Sequence, residues 1–459
     1  MDLQLKTINQ INGNTNNVKT DCKLKVNHDD NGNLKVTAIK HGMSVITTIL
    51  FVAGENAGAG LLALPSTLNK SGWWGLPLMV MIIFDSAVAA SLIGKCWLIL
   101  EERWPQEYQL NCRNPYPEIG KMAFGPRMKS MVTIMLQVTL IGTSAVLLLV
   151  CAQLSSDLID RNHSLSYGLW ILIIAFGICP FMWLGTPVEF WPAAAIALGT
   201  STIAVLLLLF EIGRDLASTS YDQLPIASEV NLSTISLAFG SFMFASGGTG
   251  PFPTYQNDMR DKSKWTRAVV IGFTVLFFLL TPLPIMGYLA YGSTVSTNII
   301  HSIPIGMSRD IVAILMAGHL FFAFLLMINP AVQEIEDKFN VPHTFNWKRV
   351  VIRVTMLFLI VFICESIPRF GKILDLIGGS TMNCLAYIFP PLFYIRLCSM
   401  KNPSWPERKI STVNKLYFYK IVLIGVIGGI CSTVSATLAI LGPNAFVLPC
   451  YLDLNCTNE

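Results

Sequence analysis

Between residues 43 and 441 the chain alternates apolar runs with short polar links, and eleven of the runs read as membrane spans. They cover residues 43–68, 75–100, 130–156, 167–184, 192–210, 235–255, 268–291, 311–328, 350–364, 373–395 and 421–441. Roughly 20 apolar residues carry one helix across the hydrocarbon core. Two of the runs are interrupted. The first breaks at Gly54, Glu55, Asn56, Ala57, Gly58, Ala59 and Gly60, and the sixth at Ser246, Gly247, Gly248, Thr249, Gly250 and Pro251. Each Gly costs about 1 kcal/mol of helix propensity relative to Ala, and freed backbone groups are tolerated at membrane depth only inside protein or along a polar cavity. Small residues at such spacing also let helices pack closely without any ligand. Two broken spans in corresponding halves of one chain favour the other explanation, a secondary transporter's binding site formed by both breaks.

Composition places the chain in the same class: 53% of residues are hydrophobic and 13% charged, and the mean hydropathy is +0.55. This describes a polytopic, all-α membrane protein rather than a set of soluble domains. Residues 1–42 are polar and Asn-rich, with no apolar core of signal-peptide type, and read as a disordered cytoplasmic tail. Residues 43–442 form the transporter domain and 443–459 an extracytoplasmic tail, so eleven spans put the chain ends on opposite sides. Lys and Arg agree with that orientation, because they crowd the links that it makes cytoplasmic. The N-x-S/T sequons at Asn69, Asn162, Asn231 and Asn455 all fall on the other side. Asn69 lies close to the membrane, leaving Asn162 and Asn231 as the expected glycan acceptors. The eleven cysteines show no metal-ligand spacing, although Cys450 and Cys456 could pair in the outer tail. Nothing calls for a metal, a cofactor or nucleic acid; the partners expected are a small substrate and the bilayer.

Ionisable residues at membrane depth are costly and are functional candidates. Three stand out. Glu55 lies within the first break, where it could hold a proton or cap the following half-helix. His319 lies in the eighth span and titrates near pH 6.5 when unperturbed. Asp85 is mid-span in the second and could instead pair with a buried polar group. Lys95, Glu211, Glu365 and Asp375 are near enough to span ends to reach water. The stretch 334–337 reads as a solvated helix end, and 111–117 as a solvated link.

The run Gly58-Ala59-Gly60-Leu61-Leu62-Ala63-Leu64-Pro65 resembles the first-helix motif of the amino acid/auxin permease family. So do the link around Tyr116, Pro117, Glu118, Ile119 and Gly120, and the segment from Phe242 through Pro253, Tyr255, Asn257 and Met259. The resemblance implies a LeuT-like fold of eleven helices, two inverted five-helix repeats plus one, with helices one and six broken. It further implies an amino acid substrate held by Asn56, Gly58, Ala59 and Gly60 and by Ser246, Gly247, Gly248 and Thr249. Half-helix N-termini would take its carboxylate and exposed carbonyls its ammonium, which suits small neutral amino acids.

Coupling leans toward protons. Sodium-coupled relatives are expected to carry an Asn that falls here on Gly54 and hydroxyls in the eighth span, yet residues 310–329 contain no Ser or Thr. Asn56 matches the position that proton-coupled relatives fill with Asn, although the His those relatives carry ahead of the break is missing from residues 45–53. Sodium coupling, vesicular exchange and a sensor that binds without transporting remain as alternatives. An intramembrane enzyme would need a His/Asp or His/Cys constellation on facing spans, and His319 has no histidine companion at that depth.

Overall fold

The computed structural model describes residues 23–28, 34–39, 42–108, 114–160, 165–183, 191–218, 229–341 and 346–442. The sequons at Asn162 and Asn455, the Cys450 and Cys456 pair and the tail beyond residue 442 lie outside them. The N-terminal tail, expected to be disordered, carries a hairpin. Strands β1 (Lys23–His28) and β2 (Leu34–Ile39) pair antiparallel, Val26 opposite Val36. Both strands alternate polar and apolar residues, and Asn31-Gly32 between them is a strong hairpin signal. The all-α architecture is that of the membrane body.

Every one of the eleven predicted runs falls on helix. The first is two helices, α1 (Val45–Asn56) and α2 (Ala59–Ser71), followed by α3 (Gly75–Arg103). A short link helix, α4 (Pro115–Phe124), leads into α5 (Pro126–Ile159), α6 (Tyr167–Trp183) and α7 (Trp191–Ser218). The sixth run is likewise two helices, α8 (Leu232–Ser246) and α9 (Phe252–Asn257). The seventh divides at Thr281 into α10 (Trp265–Leu280) and α11 (Pro282–Tyr291), because Pro282 and Pro284 cannot donate to the preceding turn. Then come α12 (Met307–Lys338), α13 (Trp347–Ser366), α14 (Phe370–Ile377), the π-helical turns Gly378–Met382 and Cys384–Ile388, α15 (Phe389–Ser399) and α16 (Thr412–Leu441). Among the described residues, seven stretches are long and apolar enough to cross a bilayer by length and composition, and α1, α6 and α8 are shorter apolar helices. Helix α13 is apolar but carries Arg349, Arg353 and Glu365.

The molecule is apolar outside as well as inside. Phe176 is 84% exposed, and Phe278, Phe358, Leu206 and Leu423 also face outward. A surface of this kind requires lipid around it. At the centre, α5 and α12 run antiparallel along their whole length. Gln137 donates to Glu334 (2.7 Å), Cys151 faces the Ala317 carbonyl (3.6 Å), and Asp157 lies 3.9 Å from Arg309. Glycines set the closest approaches. A Cβ on Gly60 would sit 2.9 Å from Ala245 Cα, joining α2 to α8, and one on Gly272 would sit 2.8 Å from Val52, joining α10 to α1.

Four acidic groups read as solvated or hydrated are buried, Glu211 and Glu365 at 4% and 3% exposed among them. Glu336, on the expected solvated helix end, is 1% exposed and accepts from Arg349 (3.2 Å) and Arg353 (2.7 Å), while Arg353 also reaches the Met182 carbonyl. Asp375 is 3% exposed, 3.5 Å from Lys70 Nζ, and accepts from Ser241. In the link, α4 is held to α5 by Glu118, which contacts Lys129, Lys121 and Tyr108. Partial burial pushes its carboxyl up, but the Lys129 and Tyr108 hydrogen bonds and the lysine charges outweigh this and hold it below the usual range.

Candidate functional site

The two breaks meet, and Asn56 joins them. Its Nδ2 donates to the Val52 carbonyl (2.8 Å), which anchors it to the last turn of α1. Its Oδ1 accepts from the Gly248 backbone N–H (3.0 Å), 192 residues away. Only glycine fits opposite, since a Cβ on Gly248 would lie 2.8 Å from that oxygen. Gly247 is as tightly held: its Cβ would be 2.3 Å from the Met243 carbonyl and 2.9 Å from Met382 Cγ on the π-helical stretch. Thr249 is fully buried, and its N–H closes a turn onto the Gly247 carbonyl (2.6 Å).

His319 reaches the same place from α12. Its Nδ1 lies 3.1 Å from the Ala197 carbonyl and 3.3 Å from Ser201 Oγ, and Ser201 donates to the Ala57 carbonyl in the first break (2.8 Å). A carbonyl only accepts, so the proton of the neutral ring belongs on Nδ1. Nε2 then carries the lone pair, and it points at Gly58, where a Cβ would be 3.5 Å away. Glu55 lies on another side of α1. Phe51, one turn earlier on the same face, packs against Tyr255 of α9 with the rings tilted by 44° and 5.1 Å between centroids. Both Glu55 carboxylate oxygens are shut off from solvent, and the Tyr255 hydroxyl of α9 is the hydrogen-bonding group beside them.

Several residues expected to touch substrate have other engagements. Asn56 is a fastener between the breaks, with Oδ1 and Nδ2 both bonded to backbone. The Ser246 hydroxyl returns to the Phe242 carbonyl (2.8 Å). Gly60 serves the packing of α2 on α8. Asp85 is not at the break: Lys420 Nζ lies 2.7 and 3.0 Å from its two oxygens, and the Tyr387 and Tyr417 hydroxyls donate to it, the first at 2.7 Å. It is an ion pair, buried at Asp85 and exposed at Lys420, that ties α3 to α16. What the structure leaves around the break is Gly58, Ala59, the turn 247–249 and His319, with Glu55 on the side of α1 that meets Tyr255.

One further group joins them. On α5, Leu136 would meet a Cβ on Gly250 at 3.0 Å and Leu147 would meet one on Gly58 at 4.0 Å. Leu136, Leu140, Thr143 and Leu147 follow the 4-3-4 spacing of one helix face, so Thr143 lies between the two breaks. Its hydroxyl is buried and makes no hydrogen bond among the described residues. Sequence alone could not pick it out: Thr139 bonds Thr381 (2.7 Å) and Ser144 bonds the Leu140 carbonyl (2.7 Å), and only the tertiary contacts separate the three hydroxyls.

Both ends of the broken helices are tied. At the face where α1 begins, Met43 N–H donates to the Asp258 carbonyl (2.8 Å) and Arg260 N–H to the Met43 carbonyl (3.1 Å), coupling the start of α1 to the end of α9. At the opposite face Lys70 and Asp375 couple α2 to α14.

Two apposed broken helices inside a lipid-facing bundle, tied to their neighbours at both faces, define a membrane transporter. The family described as "Transmembrane amino acid transporter protein" matches residues 41–435, and the chain belongs to it. Among similar proteins, the amino acid transporter AVT1C of Arabidopsis thaliana is 24% identical over 398 residues, covering 83% of this chain and 66% of that protein, just under two thirds of its length. AVT3A of the same plant is 25% identical over 395 residues, 84% of this chain and 88% of that one. Among solved structures, a mutant of the Eremococcus coleocola manganese transporter superposes with a TM-score of 0.56 at 12% identity, covering 88% of this chain and 90% of that one. That likeness is one of fold.

Proposed function

We propose that this protein is a secondary active transporter of small neutral amino acids, driven by protons. The observation that carries the proposal is the fastening of the two breaks by Asn56 with the His319 Nε2 lone pair beside them. Helix α2 begins at Ala59 with Gly58 as its N-cap, which has no side chain to satisfy the first N–H groups. Those groups, at the positive end of the helix dipole, suit the substrate carboxylate. The ammonium has acceptors in the Thr143 hydroxyl and the carbonyls where α1 ends. The side chain would lie against Leu136, Leu140 and Leu147.

A charge on Glu55 with only the Tyr255 hydroxyl beside it costs several kcal/mol in such a setting, and a proton arriving with the substrate removes that cost. His319 offers a second seat for that proton. The family's plant members are named amino acid transporters, which supports an amino acid as substrate. Flux into liposomes with proton and sodium gradients imposed separately tests the proposal. Proton-driven uptake is expected, and uptake driven by sodium at equal pH on both sides would defeat it.

Specificity provides a second measurement. Excess unlabelled alanine should abolish uptake of a neutral amino acid, and glutamate or lysine should compete at least about tenfold more weakly, because a charged side chain would be desolvated against leucines. Equal competition by all three would exclude the neutral substrate class.

The face where α1 begins is proposed to be cytoplasmic, which leaves Asn231 on the other side. Asn231 is exposed and caps α8: its Oδ1 accepts from Thr234 N–H (2.9 Å). A glycan on Nδ2 would leave that cap intact. The glycosylated protein should lose a mobility shift in Ser233→Ala, which removes the sequon and keeps the Asn231 cap, without losing stability, and tags mapping both termini to one side would overturn the topology.

A further inference from the structure

A second polar centre lies between α5 and α12, away from the breaks. It is a cavity of about 300 Å³ lined by Gln153, Ser156, Asp157, Tyr167, His301 and Arg309, with Leu165. This is large enough for a small-molecule ligand. Two helices measure its position. Asp157 is ten residues beyond Leu147 on α5, and Arg309 is ten residues before His319 on the antiparallel α12. At 1.5 Å per residue both place the cavity about 15 Å from the break, toward the face where α2 ends.

Its charges are imperfectly matched to each other. Asp157 Oδ2 lies 2.9 Å from His301 Nε2 and 3.9 Å from Arg309 Nη2. Neither Asp157 Oδ2 nor His301 Nε2 makes a hydrogen bond of proper geometry, although both atoms are out of solvent. Gln153 has its Oε1 engaged by Asn298 (3.3 Å), which turns its amide donors to other use. The centre thus offers an under-used carboxylate and a guanidinium within one small cavity. A bare anion would meet Asp157, and a bare cation would meet Arg309. A molecule carrying both charges on neighbouring atoms satisfies both.

We propose that this cavity is a second binding site for an α-amino acid zwitterion, with its ammonium on Asp157 and its carboxylate on Arg309 and the Gln153 amide. It rests on the transport function proposed above and extends it. An amino acid held there would sit about 15 Å from the break, on the side where α2 ends.

The test is equilibrium binding of radiolabelled alanine to the full-length protein in nanodiscs, with thermal stability recorded for each variant. Wild type should bind two equivalents. Asp157→Asn and Arg309→Gln should each bind one, and Gly58→Val should also bind one, the outer. A single equivalent in wild type that survives Asp157→Asn and Arg309→Gln but is lost in Gly58→Val overturns the second site while leaving transport intact; the pair then only ties α5 to α12. No alanine bound by any form overturns the substrate assignment and the second site together.

Discussion

Gly58→Val is expected to abolish uptake in a protein that still folds, whereas Gly60→Ala is expected to damage folding first. The two glycines are two residues apart in one motif, yet their surroundings differ in kind. A Cβ on Gly58 meets His319 Nε2 at 3.5 Å, an ordinary contact, so the backbone tolerates a side chain. The valine methyls would then occupy the space before His319 that the substrate needs. A Cβ on Gly60 meets Ala245 Cα at 2.9 Å, and backbone cannot rotate out of the way. Overpacking of that sort costs about 1–3 kcal/mol. Uptake by Gly58→Val should fall below about a tenth of wild type at equal surface amount, more than the roughly 1.4 kcal/mol of lost binding that tenfold represents. Gly60→Ala should lower the melting temperature in detergent. Equal stability and equal loss of uptake in the two variants would show that both glycines serve packing alone.

The second large effect concerns coupling. With a pH difference of one unit and a stoichiometry of one proton per substrate, the driving force is about 1.4 kcal/mol, enough for about tenfold accumulation. His319→Ala and Glu55→Gln are expected to reduce that ratio toward one while exchange of labelled for unlabelled substrate continues. The reason is spatial. His319 presents its lone pair to Gly58, and Glu55 holds a carboxylate with no countercharge among the described residues, on the face of α1 that meets Tyr255. Both groups would feel the substrate come and go, and neither is needed to keep the breaks joined, which is the work of Asn56. Asp85→Asn should instead leave coupling intact and destabilise the protein, because it removes the buried carboxylate that accepts from Tyr387, Tyr417 and Lys420. Undiminished proton-driven accumulation in both His319→Ala and Glu55→Gln would place the proton elsewhere.

The spans and their two breaks were legible in the sequence because they are local properties: about 20 apolar residues make a span, and glycines in one interrupt it wherever it packs. The same is true of the family, whose motifs are short runs of adjacent residues. What sequence could not assign was the partner of each polar group. Asp85 and His319 look alike in the chain, one ionisable residue in an apolar run. Packing gives Asp85 a lysine from α16, 335 residues on, and turns His319 toward Gly58. Asn56 belongs to the motif but is held by Gly248, and Glu336 on an apparently solvated helix end is enclosed by Arg349 and Arg353. Thr143 becomes a candidate only once its neighbours Thr139 and Ser144 are seen to be satisfied. At membrane depth no water stands ready to solvate a polar side chain, so its role depends on which helix lies opposite. Hydrophobic patterning decides that a helix forms and roughly where it breaks; only tertiary packing decides what it faces.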